Sequence, residues 1–256
     1  MTDTPSSLDK AETLRALHIP GTPLVLYNIW DAGSAGAVAK AGAKALATGS
    51  WSVAEAQGFR DGETLPMEFL LSIVERIVAT NDLPLSVDFE GGYAIAPDDV
   101  TLNVERLISA GAVGLNFEDR VVKGKGLHAV DAQAARVAAV RAAGNHTGIP
   151  IVINARTDLF LQSKPEDHAS HIAEALERAH AYAEAGGDSF FVPGLSDPDL
   201  IQKVCAQSPL PVNVMLRDVT AQVAPLAALG VGRISFGPTP YAVAMNAITE
   251  QAKAFY

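Results

Sequence analysis

The chain has 256 residues, 48% of them hydrophobic and 19% charged, with a formal net charge of −10. That balance gives a globular chain ample core; the length suits one α/β barrel of about 250 residues, and the acidity argues against nucleic acid or an anionic membrane as partner. The single Cys205 excludes an internal disulfide and a multi-cysteine zinc site, and with no apolar run of about 18 residues and a polar Met1–Lys10 stretch the chain is expected to be soluble and cytoplasmic, without membrane span or signal peptide.

Leu8–Leu17 has helical spacing and ends before Pro20-Gly21, which predicts a short N-terminal helix. A repeated order follows: a short apolar run, a loop with Gly or Asp, then an Ala-rich amphipathic stretch. The apolar runs Leu24–Tyr27, Ala45–Thr48, Leu85–Phe89, Val113–Phe117, Ile151–Ala155, Ser189–Val192, Val212–Met215 and Arg233–Phe236 read as strands. Helices are expected near Ser34–Lys40, Pro66–Thr80, Pro97–Ala110, Ala132–Ala143, Asp167–Ala185, Asp197–Ala206, Ala221–Leu229 and Tyr241–Ala254. Near-continuous apolar runs suit parallel strands buried on both faces, and Ala-Gly pairs such as Ala110-Gly111 suit helix ends. Eight such units predict a single (β/α)8 TIM barrel over residues 1–256, with the short helix in front.

Barrel enzymes place their chemistry where the strands end. The third strand runs into Asp88-Phe89-Glu90-Gly91-Gly92, and strand alternation would set Asp88 and Glu90 on one side. Two like charges on one face are costly without a cation between them, and hard oxygen ligands suit Mg2+ or Mn2+. Glu118 ends the fourth strand and completes the candidate metal set of Asp88, Glu90 and Glu118. The fifth strand ends in Asn154-Ala155-Arg156-Thr157-Asp158, where Arg156 either grips a substrate carboxylate or pairs structurally with Asp158. Gly49, Ser50 and Trp51, after the second strand, offer backbone N–H groups to an anion, and Asn213 in the seventh strand is counted with these substrate contacts. Val121–Val130 carries Lys123, Lys125, two Gly residues and His128, the pattern of a mobile lid, with His128 its candidate proton donor.

Taken in order, Asp31-Ala32, Gly58-Phe59-Arg60-Asp61-Gly62, Val87-Asp88-Phe89-Glu90-Gly91-Gly92-Tyr93, Gly114-Leu115-Asn116-Phe117-Glu118-Asp119 and Asn154-Ala155-Arg156-Thr157-Asp158 resemble the isocitrate lyase / phosphoenolpyruvate mutase superfamily. The resemblance implies a Mg2+-dependent barrel acting on 2-oxo acids or their enolates. In it Asp61, Asp88, Glu90 and Glu118 match the acids around the metal, several acting through water, and Arg156 matches the substrate-gripping arginine. Asp61 and Arg156 are therefore catalytic candidates with His128. The resemblance also implies a homo-oligomer, a dimer or a tetramer of pairs that exchange the last barrel helix, here Tyr241–Ala254 with its apolar Val243 and Ile248.

Departures from the family pattern narrow the reaction. Its isocitrate and methylisocitrate lyases carry a Cys-Gly-His-like lid motif, whereas this lid reads Lys123-Gly124-Lys125-Gly126-Leu127-His128 with no thiol. Those lyases also carry a Glu after the sixth strand, where this chain has Pro193-Gly194. Gly58-Phe59-Arg60-Asp61 is closer to the phosphonate-processing branch, yet the lid lacks that branch's Asn-rich stretch. The expected function is Mg2+-dependent C–C cleavage of a small 2-oxo dicarboxylate, such as oxaloacetate decarboxylation. C–P chemistry on phosphonopyruvate and a non-catalytic 2-oxo-acid binding barrel are the alternatives.

Overall fold

The structure, a computed structural model, describes residues 5–256; Met1–Thr4 of the polar N-terminal stretch lie outside them. Eight parallel strands form one sheet in the order β1-β8-β7-β6-β5-β4-β3-β2. They are β1 (Leu24–Leu26), β2 (Leu46–Ala47), β3 (Leu85–Asp88), β4 (Gly114–Glu118), β5 (Val152–Arg156), β6 (Ser189–Phe191), β7 (Val212–Met215) and β8 (Arg233–Ser235). The cylinder closes just beyond β1 and β2, where Ile29 N–H donates to Ala47 O at 2.9 Å and Gly49 N–H donates to Ile29 O at 3.1 Å. The fold is the (β/α)8 TIM barrel that the eight apolar runs predict.

The helices are α1 (Ser7–Ala16), α2 (Ala32–Lys40), α3 (Ser50–Ala56), α4 (Met67–Ala79), α5 (Pro97–Ser109), α6 (Val130–Thr147), α7 (His168–Glu184), α8 (Pro198–Gln207), α9 (Val223–Ala228) and α10 (Thr239–Ala252). A reciprocal cap starts α1: Ser6 Oγ accepts from Asp9 N–H and Asp9 Oδ2 accepts from Ser6 N–H. Its Ala11 and Leu14 are wholly buried among Leu24, Leu26, Ala45, Ala47, Val113 and Val152, so α1 plugs one end of the barrel. Gly114 makes room for that plug, because a Cβ there would lie 2.6 Å from Leu14 Cδ2. The larger apolar layer lies between the strands and the outer helices, with Val87, Leu115, Ile153 and Phe190 facing Val104, Val137 and Ala175.

Two elements differ from the sequence expectation. Residues 50–56 form α3, where the sequence suggested only a loop; seven residues with Gly49 at the cap and no side-chain cap bond leave little helical signal. Strand β3 ends at Asp88, and Glu90 takes a positive φ of 49°. Strand alternation therefore does not reach Glu90, and its carboxylate is placed by the turn instead.

Candidate active site

At the strand ends a cavity of about 240 Å3 brings together Gly49, Ser50, Trp51, Asp61, Asp88 and Arg156. Asn28, Asn116 and Arg217 share its wall, and Leu161, Phe191, Pro193 and Met215 form an apolar side. Asn28 belongs to the closure of the barrel: its Oδ1 accepts from Phe236 N–H and Gly237 N–H, both at 2.9 Å, and its Nδ2 donates to Thr48 O. The asparagine directly after an apolar run was its only sequence signal, too weak to single it out.

Asp88 is held from three elements. Its backbone N–H donates to Thr48 Oγ1 at 2.9 Å, its Oδ2 accepts from Ser50 N–H at 3.0 Å, and Asn116 Nδ2 approaches its Oδ1 at 3.3 Å. The Ser50 N–H at the start of α3, expected to face a substrate anion, is taken up here by the chain's own Asp88. Asp61 enters from the loop between α3 and α4. Asp61 is exposed as a residue, but partial loss of water around its carboxyl, reinforced by the nearby Asp88, pushes that group above the usual range.

Glu90 sits where the Asp61 loop meets the turn after β3. Both of its carboxylate oxygens accept from Glu63 N–H at 3.0 Å, while Glu63 Oε1 accepts from Tyr93 N–H at 2.8 Å. Glu63, Glu90 and Tyr93 are the non-glycine residues with positive φ among those described, so the backbone strain of the chain gathers at this junction. Gly92 (φ 79°) permits the sharp turn, since a Cβ there would meet Phe117 at 2.9 Å. Burial, then Asp61, pushes Glu90 up to about 8, despite the opposing Glu63 N–H.

Arg156 is the cation of the cluster. Its Nε and Nη2 bind Asp158 Oδ1 and Oδ2 at 2.6 and 3.1 Å, and Nη1 lies 3.1 Å from Glu118 Oε2 and 3.9 Å from Asp88 Oδ1. Burial disfavours its charge, but Glu118, Asp158 and Asp88 together keep the guanidinium firmly protonated. Glu118 is 2% exposed and its Oε1 has no hydrogen-bond partner among the described residues. Burial raises it well above the carboxylate range, with Arg156 opposing and Asp158, Asp88 and Glu90 adding to the rise.

The remaining sequence candidates lie elsewhere. Asn213 is wholly buried beneath the cavity, bonded through Nδ2 to Val214 O and Arg233 O and accepting from Asn154. His128 lines a neighbouring cavity of about 230 Å3 with Glu63, Tyr93, Lys123 and Arg136. Burial, then Arg136, lowers its ring below the usual range.

The donor set fits a hard divalent cation. Asp61, Glu90 and Glu118 are each pushed toward protonation, and Glu118 Oε1 is an orphaned buried oxygen, as expected of acids gathered for a positive charge. No group of three His, Cys, Asp or Glu converges tightly enough to cage a metal directly among the described residues.

The sequence profile described as phosphoenolpyruvate phosphomutase matches residues 14–256. The chain is 32% identical to an uncharacterised protein of Mycobacterium tuberculosis over 93% of its own length and 86% of that protein's. It is 28% identical to the 2-methylisocitrate lyase of Escherichia coli, over 78% of this chain and 71% of the lyase. The crystal structure of a protein from Burkholderia cenocepacia J2315, described as a phosphonomutase, superposes with a TM-score of 0.94 at 48% identity, covering 97% of this chain and 99% of that one.

Proposed function

This chain belongs to the phosphoenolpyruvate phosphomutase family, within the isocitrate lyase / phosphoenolpyruvate mutase superfamily of lyases and mutases, and we propose that it is a Mg2+-dependent lyase cleaving a C–C bond of a small 2-oxo dicarboxylate, with oxaloacetate decarboxylation the representative reaction. The observation that carries this reading is the Asp88–Arg156 cavity: a guanidinium and an excess of carboxylates lie against an apolar wall. Asp88 would hold Mg2+, with Asp61, Glu90 and Glu118 acting through water; Mn2+ suits the same oxygens. When bound, the ion supplies Lewis-acid stabilisation of the negative charge that builds on the 2-oxo oxygen.

The chain's own residues supply the rest. Arg156, fixed by Asp158, presents its outer edge to one substrate carboxylate. Arg217, in the wall of the same cavity, suits the second. Leu161, Phe191, Pro193 and Met215 keep water from the enolate until it is protonated. Loss of CO2 from a 3-carboxylate passes the bond's electron pair into the 2-oxo group and needs no general base to begin. A lid without a thiol is compatible with that chemistry.

C–P chemistry on phosphonopyruvate is the second reading, favoured by the 48% identity to a protein described as a phosphonomutase; Arg217 would then meet the phosphonate. One panel separates the readings: purified protein with Mg2+, assayed for pyruvate release from oxaloacetate, phosphonopyruvate, 2-methylisocitrate and substituted malates, and for conversion of phosphonopyruvate to phosphoenolpyruvate, which releases no pyruvate. Turnover of oxaloacetate is expected. Turnover of phosphonopyruvate alone would replace the first reading with the second, and metal binding without turnover of any 2-oxo acid would mark a binding barrel.

A further inference from the structure

Arg233 opens β8 and is 1% exposed, yet it pairs with no carboxylate among the described residues. Its Nη2 donates to Asn116 Oδ1 at 3.0 Å, its Nη1 lies 3.4 Å from His18 Nε2, and its Nε has no hydrogen-bond partner among the described residues. His18 shares Nδ1 with Leu14 O at 2.8 Å, and burial together with Arg233 pushes the ring down to about 4, so it is a neutral neighbour. Burial pushes Arg233 itself down to about 9, and the charge opposing that fall is Asp88. A guanidinium enclosed by neutral groups at a barrel's centre is costly, and an apolar side chain of similar size would serve packing as well.

The link from Arg233 to Asp88 runs through one amide. Asn116 is the register neighbour of Asp88 on one side and of Asn154 on the other. A guanidinium has donors and no acceptor, so Asn116 can offer it only an oxygen. Asn154 Nδ2 donates to that same oxygen at 2.8 Å. Asn154 is locked in turn, accepting from Ser189 Oγ at 2.6 Å and donating to Asn213 Oδ1 at 2.9 Å, and Asn213 donates to the carbonyl of Arg233 at 3.2 Å. With its oxygen committed inward, Asn116 has only its NH2 to turn toward Asp88.

We infer that Arg233 is a positioning residue for the active site: by fixing the Asn116 amide it holds Asp88, between Asn116 Nδ2 and Ser50 N–H, in the orientation that receives a divalent cation. Without the guanidinium the Asn116 oxygen keeps only the Asn154 Nδ2 contact, and the amide is freer to turn over and set its oxygen against the carboxylate. This inference rests on the reading of Asp88 as the metal-binding acid.

The test is Mn2+ affinity of the substrate-free protein, measured by titration calorimetry beside the melting temperature, for wild type, Arg233→Met, Arg233→Lys and Asn116→Ala. Arg233→Met should melt at or above the wild-type temperature yet bind Mn2+ about tenfold or more weakly, as for removal of other groups that orient a metal ligand. Arg233→Lys, a donor-only side chain, should recover part of the loss. A merely structural arginine would move the melting temperature and leave the affinity alone. Should Arg233→Met not fold, Asn116→Ala breaks the relay with the guanidinium kept and should show the same loss. Wild-type binding with affinity unchanged in the folded variants overturns this inference alone; a wild-type chain that binds no Mn2+ overturns the metal reading and the inference with it.

Discussion

Arg156 grips Asp158 with two parallel contacts, Nε to Oδ1 at 2.6 Å and Nη2 to Oδ2 at 3.1 Å, and so turns its remaining edge toward Glu118 and the cavity. The ion pair with Asp158 takes one edge of this planar group, and the proposed substrate contact would use the other, so the two roles do not exclude each other. An ammonium has no second edge. Arg156→Lys should therefore lower kcat/KM by about 2–4 kcal/mol, as when a charge-assisted contact is lost from a water-poor site. Kinetics within a factor of about three of wild type would make Arg156 a structural residue.

Asp88 is bound at three points by neighbouring elements, but those neighbours are a backbone amide, a hydroxyl and Asn116, none of which needs a charge to stay in place. Asp88→Ala should keep the fold, by circular dichroism, and lose Mn2+ binding and metal-dependent pyruvate release. Full activity in that variant after exhaustive chelation would show that the ion, if there is one, binds elsewhere.

A pH dependence follows from the acids around it. Burial and Asp61 push Glu90 from its ordinary 4.5 to about 8, and burial likewise lifts Glu118 and Asp61. Across that window the folded metal-free chain holds more protons on Glu90 than the unfolded chain does, so this contribution to stability is full at low pH and is lost as pH rises through about 8. Mg2+ competes with those protons, so the melting-temperature gain it brings should be larger at about pH 8 than at about pH 5. Equal gains at both pH values, with Mg2+ saturating, would mean these carboxylates do not respond to the ion.

The strands were legible because parallel strands buried on both faces are written as near-continuous apolar runs, and Val113–Phe117 or Ile151–Ala155, each broken by one Asn, cannot be much else. Acids at strand ends were legible for the same reason. What the sequence hides is direction. Asn213 looks like a strand-end contact, but it points into a polar layer with Asn154, Asn116 and Arg233, and nothing local distinguishes the two cases. Glu90 depends on a left-handed turn rather than on strand period, and His128 on how a loop folds back; both are fixed by distant partners, Glu63 and Asp119.

The assembly prediction draws on an uncovered face. On α10 only Pro240 is buried, while Val243 and Ile248 are 45% and 60% exposed. The outer side of β1 is also open, with Val25 and Tyr27 in a groove of about 430 Å3 beside Leu17, Ile19 and Val38. In a barrel a helix normally covers that side. A second copy presenting its own α10 would cover both surfaces, so light scattering at micromolar concentration should give a dimer or a multiple of one, and Ile248→Asp should shift it toward monomer. A monomer mass for wild type would remove the prediction.

The segment after Glu118 folds as a small hairpin rather than an open loop. Arg120 bridges to Leu127, Val121 N–H donates to Gly126 O at 3.0 Å, and His128 N–H donates to Asp119 O at 2.8 Å. Arg178 Nη1 pins both ends, 3.0 Å from His128 O and 3.1 Å from Asp119 Oδ2. Gly124 and Gly126 therefore lie within the hairpin and not at its ends, and any closure must move residues 120–127 as a unit over fixed ends. Lys123 at the exposed tip lies 3.8 Å from Oε2 of the buried Glu63 side chain, a long contact that closure would have to give up. Closure over bound substrate would shut out water that could quench the enolate, while His128, whose backbone is one of the fixed ends, could reach the reacting carbon only by swinging its ring out of its own cavity. Cleavage by trypsin at Lys123 and Lys125 should slow when oxalate, a mimic of the pyruvate enolate, is added with Mg2+. His128→Gln should then lower kcat more than it raises KM. Equal cleavage rates with the site shown to be saturated would leave the hairpin fixed, and His128 outside the chemistry.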